Sequence, residues 1–161
     1  MSENGINHWV FRAHVLDRAG ALTSIASAFS NEGVSIDTVV GHGSEALAGT
    51  DGSVVLTFCC SEDEKDRMVR KISRLSKVTR LEEHPYESQS LRKSAMILVS
   101  RQLKPADVVG ETSFLTSELV KTDAGGWVYL LAGSPSDLDP VLARLETAGL
   151  VKDLIYSVLS L

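Results

Sequence analysis

The chain is poor in the features that announce most function classes. Cysteine is nearly absent: two of 161 residues, and those two, Cys59 and Cys60, are neighbours. Neighbouring cysteines seldom bridge each other, and two alone build no disulfide framework. Aromatic residues make up only 6%, too few for the stacking platforms on which RNA modules hold their bases. Basic residues are outnumbered, 16 Lys and Arg against 21 Asp and Glu, for a formal net charge of −5. No basic surplus is left to follow a phosphate backbone, which argues against a nucleic-acid partner. No apolar run reaches the roughly 18–20 residues of a membrane-spanning helix. Residues 1–7 show no cationic and apolar signal pattern. A cytoplasmic protein without membrane contact is expected.

Catalytic signatures are missing as well. There is no Gly-x-Ser-x-Gly elbow and no Walker loop. Gly41-His42-Gly43 lacks the third glycine of a dinucleotide fingerprint. The four histidines, His8, His14, His42 and His84, do not pair at metal-ligand spacing on a helix. His8 and His14 are expected on the solvent face of a strand. Cys59-Cys60 is expected to end a strand and pack into the core. Glu62-Asp63-Glu64 has the look of a metal cluster, but acids at a helix N-terminus need no metal to explain them; Asp137 and Asp139 have the same reason to be there. No catalytic residue, metal site or cofactor is expected.

What is present is periodicity. Trp9, Phe11, Ala13 and Val15 alternate with His8, Arg12 and His14, which marks a strand. Leu22, Ile25, Ala26 and Phe29 then recur at helical spacing, and Gly33 stands where a helix stops. Val34 to Val40 reads as a second strand, and Gly41 to Gly52 as a loop in which Asp51-Gly52 signals a hairpin turn. Val54, Leu56 and Phe58 alternate as a third strand. Ser61 with Glu64 has capping-box spacing. Met68, Val69, Ile72 and Leu75 form the face of the helix that follows, and Val78 to Glu83 a fourth strand. This βαββαβ order over residues 1–84 is ferredoxin-like.

Residues 85–93 are polar and read as a linker, leaving 94–161 as a second unit. Ala95 to Val99 opens it. Pro105 suits the first turn of a helix that Gly110 weakens. A strand within Phe114 to Lys121 turns at Ala124-Gly125-Gly126 into Trp127 to Ala132. Leu138, Val141, Leu142 and Leu145 mark a helix, and Leu150 to Leu159 a closing strand. Shifting Ser61 onto Ser134 brings Met68, Val69, Ile72, Val78 and Leu81 onto Val141, Leu142, Leu145, Val151 and Leu154, the pattern of a duplicated fold. The expected class is α+β, two ferredoxin-like domains.

One segment invites a ligand. Asp17-Arg18-Ala19-Gly20-Ala21-Leu22 joins the first strand to the first helix. A helix N-terminus carries backbone N–H groups without intrahelical acceptors. Gly20 and Ala21 have almost no side chain to shield them, so a small carboxylate fits there, with Asp17 placed to take an ammonium group. The same residues also suit a helix for which Asp17 is simply the cap.

Asp17 to Leu22, the helix after it, and Gly33-Val34-Ser35-Ile36-Asp37-Thr38 together resemble the ACT domain, a ferredoxin-like module that senses amino acids. The resemblance extends into the second half through Val128 to Ser134 and Leu138-Asp139. Over most of its length the chain resembles the small regulatory subunits of acetohydroxyacid synthase (acetolactate synthase). The resemblance implies a homodimer that activates the thiamine-diphosphate-dependent catalytic subunit and confers feedback control by valine, leucine or isoleucine. It implies effector contacts at Asp17, Gly20, Ala21 and Leu22 of one chain, with Ser35 and Ile36 from the other. The sequence departs from the family pattern in three places. Asp17 and Ser35 stand where the family has Asn, and Ile155-Tyr156-Ser157-Val158 replaces an Arg-(Ser/Thr)-Gly ending. An ionised Asp only accepts hydrogen bonds, so Asp17 suits an ammonium and not a carboxylate. A free-standing ACT sensor of another enzyme or of a transcription factor shares the first half of the pattern without needing the second.

Overall fold

The computed structural model describes residues 5–16, 18–43, 51–110 and 115–161, with the backbone alone at 18 and 19. The chain divides into two units, Met1–Tyr86 and Glu87–Leu161.

In the first unit the elements run β1 (Ile6–Val15), α1 (Arg18–Glu32), β2 (Ile36–His42), β3 (Gly52–Ser61), α2 (Glu62–Ile72) and β4 (Val78–Pro85). The strands form one antiparallel sheet in the order β2-β3-β1-β4. Alternation puts Phe11, Ala13 and Val15 of β1 and Val54, Leu56 and Phe58 of β3 on one face, all buried. Both helices cover that face, bringing Ala21, Ile25 and Phe29 from α1 and Met68 and Ile72 from α2 into the same core. The Phe58 ring meets those of Phe11 and Phe29 edge to face, at 4.7 and 4.8 Å between centroids. The buried stripe of α1 is rotated slightly from the expected one: Ala28 lies in it and Ala26 at its margin.

Local chemistry sets the ends of these helices. Gly33 adopts φ +70°, its N–H donates to the Ser30 carbonyl, and the Val34 N–H donates to the Phe29 carbonyl. That is a Schellman stop, which glycine adopts without Cβ strain. At the start of α2 the Ser61 hydroxyl accepts from the Glu64 N–H, and the Glu64 carboxylate accepts from the Ser61 N–H.

The opposite sheet face is not open surface. Val10, Val55 and Thr57 are buried on it, and His14 Nε2 lies 3.0 Å from Glu82 Oε1. Cys60 packs into the core as expected, but Cys59 is exposed on this other face. Successive strand residues point opposite ways, so a cysteine pair in a strand cannot pack together. Gly52 does not turn a hairpin with Asp51; it opens β3 opposite Val15. Gly41 and His42 belong to β2, paired with Val54 and Ser53, rather than to the expected loop, of which residues 44–50 lie outside the described residues.

The second unit contains β5 (Arg92–Val99), β6 (Thr116–Asp123), β7 (Gly126–Gly133), α3 (Pro135–Thr147) and β8 (Val151–Leu159). Its sheet order, β6-β7-β5-β8, repeats the first order shifted by four strands. Ile97, Val99 and Leu131 pack against Leu138, Val141, Leu142 and Leu145 of α3. Ser134 caps α3 as Ser61 caps α2, so the duplication read from the sequence joins equivalent elements. Asp123 and Gly126 pair across the expected turn. The helix expected after Pro105 is a single 3-10 turn, Pro105–Val108. Arg101 grips Asp107 through two hydrogen bonds of 2.8 and 3.1 Å, and the Lys104 N–H donates to the same carboxylate. Val109 is extended and ends the turn.

The polar stretch between the units is shorter than expected, because β4 runs through Pro85 and β5 begins at Arg92. Pro85 is tolerated because β4 is an edge strand. Among the described residues no helix is long and apolar enough to cross a membrane.

Candidate functional site

The candidate site begins where β1 hands the chain to α1. The Leu16 N–H donates to the Lys77 carbonyl at 3.0 Å, tying the end of β1 to the turn that precedes β4. Asp17 lies outside the described residues. Helix α1 starts at Arg18 and carries no acid in its first turn. Gly20 is therefore in that first turn, where N–H groups lack intrahelical acceptors. Its carbonyl accepts from Ser24 Oγ at 3.0 Å.

Lys77 comes up against the bare face of Gly20. A Cβ built on Gly20 would fall on the Lys77 ammonium, with Lys77 Cε and Cδ at 3.1 and 3.2 Å. The cation and the positive end of the helix dipole thus lie side by side, an arrangement that attracts an anionic group. Lys77 escaped the sequence reading because it belongs to the turn between α2 and β4. No local spacing relates that turn to Gly20.

The other expected residues divide. Ala21 is buried in the core, so its side chain faces away from any ligand at the surface. Leu22 is half-buried against the same core. Ser35 is exposed and Ile36 half-buried. Both lie at the far end of α1, where they line an open cleft with Phe29, Gly33 and Val34. From Gly20 to Glu32 the helix rises by about 18 Å at ~1.5 Å per residue. One chain therefore does not bring Gly20 together with Ser35 and Ile36.

The far end of α1 is held firmly. The Glu32 carboxylate takes a hydrogen bond from Arg67 Nε at 3.1 Å and another from Lys71, both on α2. The Lys71 and Arg67 hydrogen bonds hold Glu32 below the usual carboxylate range. This clamp fixes the point from which Gly33 to Ile36 emerge.

No protein-family model matches the chain, and no curated protein matches its sequence. In structure it is similar to the acetolactate synthase small subunit from Thermotoga maritima. The TM-score is 0.68 at 13% identity, and the match covers 94% of this chain and 94% of that one. A weaker likeness, TM-score 0.48 at 12% identity, is to the regulatory subunit of aspartate kinase from Thermus thermophilus in its ligand-free form. It covers 90% of this chain and 97% of that one. At 13% identity the likeness to the small subunit is one of fold, two ferredoxin-like domains in tandem, the architecture expected from the sequence.

Proposed function

We propose that the chain is a non-catalytic regulatory subunit of acetolactate synthase, which binds and activates the catalytic subunit and places it under feedback control by a branched-chain amino acid. The observation that carries this reading is the tandem itself. Two ferredoxin-like units with equivalent strand orders follow one another in the chain, and the similarity to the small subunit covers 94% of each.

The proposed effector site lies between two copies of the chain in the cytoplasm. The α1 N-terminus of one ACT unit faces the start of β2 in the other. The ~18 Å that separates the two half-sites within one chain is the physical reason for needing a second copy. The effector carboxylate docks at the head of α1 beside Gly20 and Lys77, and Asp17 takes the ammonium. Ser35 and Ile36 of the other copy close over the side chain. Lys77 thereby supplies the donor to the carboxylate that an Asn amide would otherwise supply from position 17. Binding shifts the subunit between states only by its differential affinity for them.

The deciding experiment is acetolactate formation by the catalytic subunit of the same organism, with and without this chain, and with valine, leucine or isoleucine added. Stimulation by the chain and its reversal by one of the three amino acids is the expected result. No change under any condition overturns the reading and leaves a free-standing ACT sensor, which would bind an amino acid in calorimetry without any catalytic chain.

A further inference from the structure

Three metal-ligating side chains of different chemistry converge on the sheet face of the first unit that the helices do not cover. His8 of β1 stands directly opposite Cys59 of β3. Asp37 lies on β2 at the bulge between Ile36 and Thr38, where the pairing with β3 shifts register. A bulge re-aims a side chain. Here Ile36 packs on the core, and Asp37 meets His8 and Cys59. His8 Nε2 is 3.4 Å from Asp37 Oδ2, and Cys59 Sγ is 3.8 Å from the same oxygen. All three donor atoms lie within 4.8 Å of one another.

The His8–Asp37 and Cys59–Asp37 distances are close to what a tetrahedral ion requires. Bonds of about 2.0 Å to nitrogen and oxygen and 2.3 Å to sulfur put the ligand atoms roughly 3.3–3.5 Å apart. The imidazole is held in place by the Tyr86 ring, stacked on it at 3.6 Å between centroids and 11° between planes. Cys59 and Asp37 are exposed, so an ion reaches the site from solvent and keeps room for a water. A thiolate and a carboxylate together carry two negative charges, which a divalent cation neutralises. A thiolate and an imidazole select against hard cations such as Mg2+ and Ca2+, which take oxygen ligands.

We propose that His8, Asp37 and Cys59 bind one divalent transition-metal ion of the zinc class, with water in the fourth position. Burial, and then the neighbouring Asp37 carboxylate, hold the Cys59 thiol above its ordinary range. Coordination reverses that and releases the thiol proton to solvent.

The test uses the full chain, stripped with a chelator and titrated with Co2+ and then Zn2+. One Co2+ per chain should bind with a thiolate-to-cobalt charge-transfer band, and Zn2+ should displace it. Cys59→Ser should abolish the band, and Cys60→Ser should leave it, since Cys60 points into the core. Asp37→Asn and His8→Asn should each weaken binding by about tenfold or more. Circular dichroism of each variant checks its fold. Alkylation of Cys59 in the unmutated chain reads the site without any substitution: one equivalent of Zn2+ should slow it, and Mg2+ should not. The proposal is overturned if no saturable band forms, if the band survives Cys59→Ser, if it requires Cys60, or if Zn2+ leaves alkylation unchanged.

Discussion

Gly20→Asp separates effector binding from folding. The substitution puts a side chain where the Lys77 ammonium now sits. The displaced atoms are the far end of a flexible chain, so the helix itself need not move. Replacing glycine inside a helix gains about 0.3 kcal/mol. A carboxylate in the first turn of α1, which has no acid there, gains roughly 0.3–1 kcal/mol from the dipole. A pair with Lys77 at the surface adds about 0–1 kcal/mol. The variant should therefore be as stable as the parent or about 1 kcal/mol more so, with a melting temperature unchanged or raised by a few degrees. Effector binding should fall steeply. Two carboxylates ~4–5 Å apart at an effective dielectric of ~20 repel by about 3–4 kcal/mol, on the order of a hundredfold or more in affinity. The assay is calorimetric titration with valine, leucine and isoleucine, alongside a thermal melt of the same preparation. Gly20→Ala fills the same space without the charge and should lose less. Unchanged affinity in Gly20→Asp would reject the site. A collapse of the melting temperature would reject the packing argument at Lys77.

Two other outcomes follow from the packing. Asp107 is pulled down to about 2, first by the Arg101 hydrogen bonds and then by the Lys104 N–H. A depressed carboxyl contributes stability above its ordinary value near 3.8, and that contribution is lost as pH falls toward 2. With Arg101 itself 42% exposed, screening leaves about 1 kcal/mol. Denaturant titrations of Asp107→Asn and the parent should differ by that amount at pH 7 and converge at pH 2. Phe58→Ala removes the ring that Phe11 and Phe29 both meet edge to face. It should cost about 3–5 kcal/mol, read as a lower denaturation midpoint with lost near-ultraviolet aromatic ellipticity; a loss under 1 kcal/mol would contradict the packing described.

The elements that were legible in the sequence are those whose signal is local. The Ser61 capping box, the Gly33 stop, the alternation of β1 and β3 and the stripe of α3 each reside in a dozen residues or fewer. All appear where the pattern put them. The Ser61–Ser134 offset was legible for the same reason, since each copy carries the same local signals. The helix expected after Pro105 failed because a permissive first turn does not supply the apolar face that would hold further turns to the sheet. Only a 3-10 turn survives there, pinned by Arg101 and Asp107.

The sequence by itself determined the fold class, the duplicated arrangement and the glycine at the head of α1, because periodicity and capping act over short range. Only the tertiary structure decided what surrounds them. It set Lys77 against Gly20 and separated Gly20 from Ser35 and Ile36 by the length of a helix. It also turned Cys59 away from Cys60, toward His8 and Asp37. Each of these depends on which strands pair and in what register, and that is settled by burial of the whole sheet face rather than by any single segment.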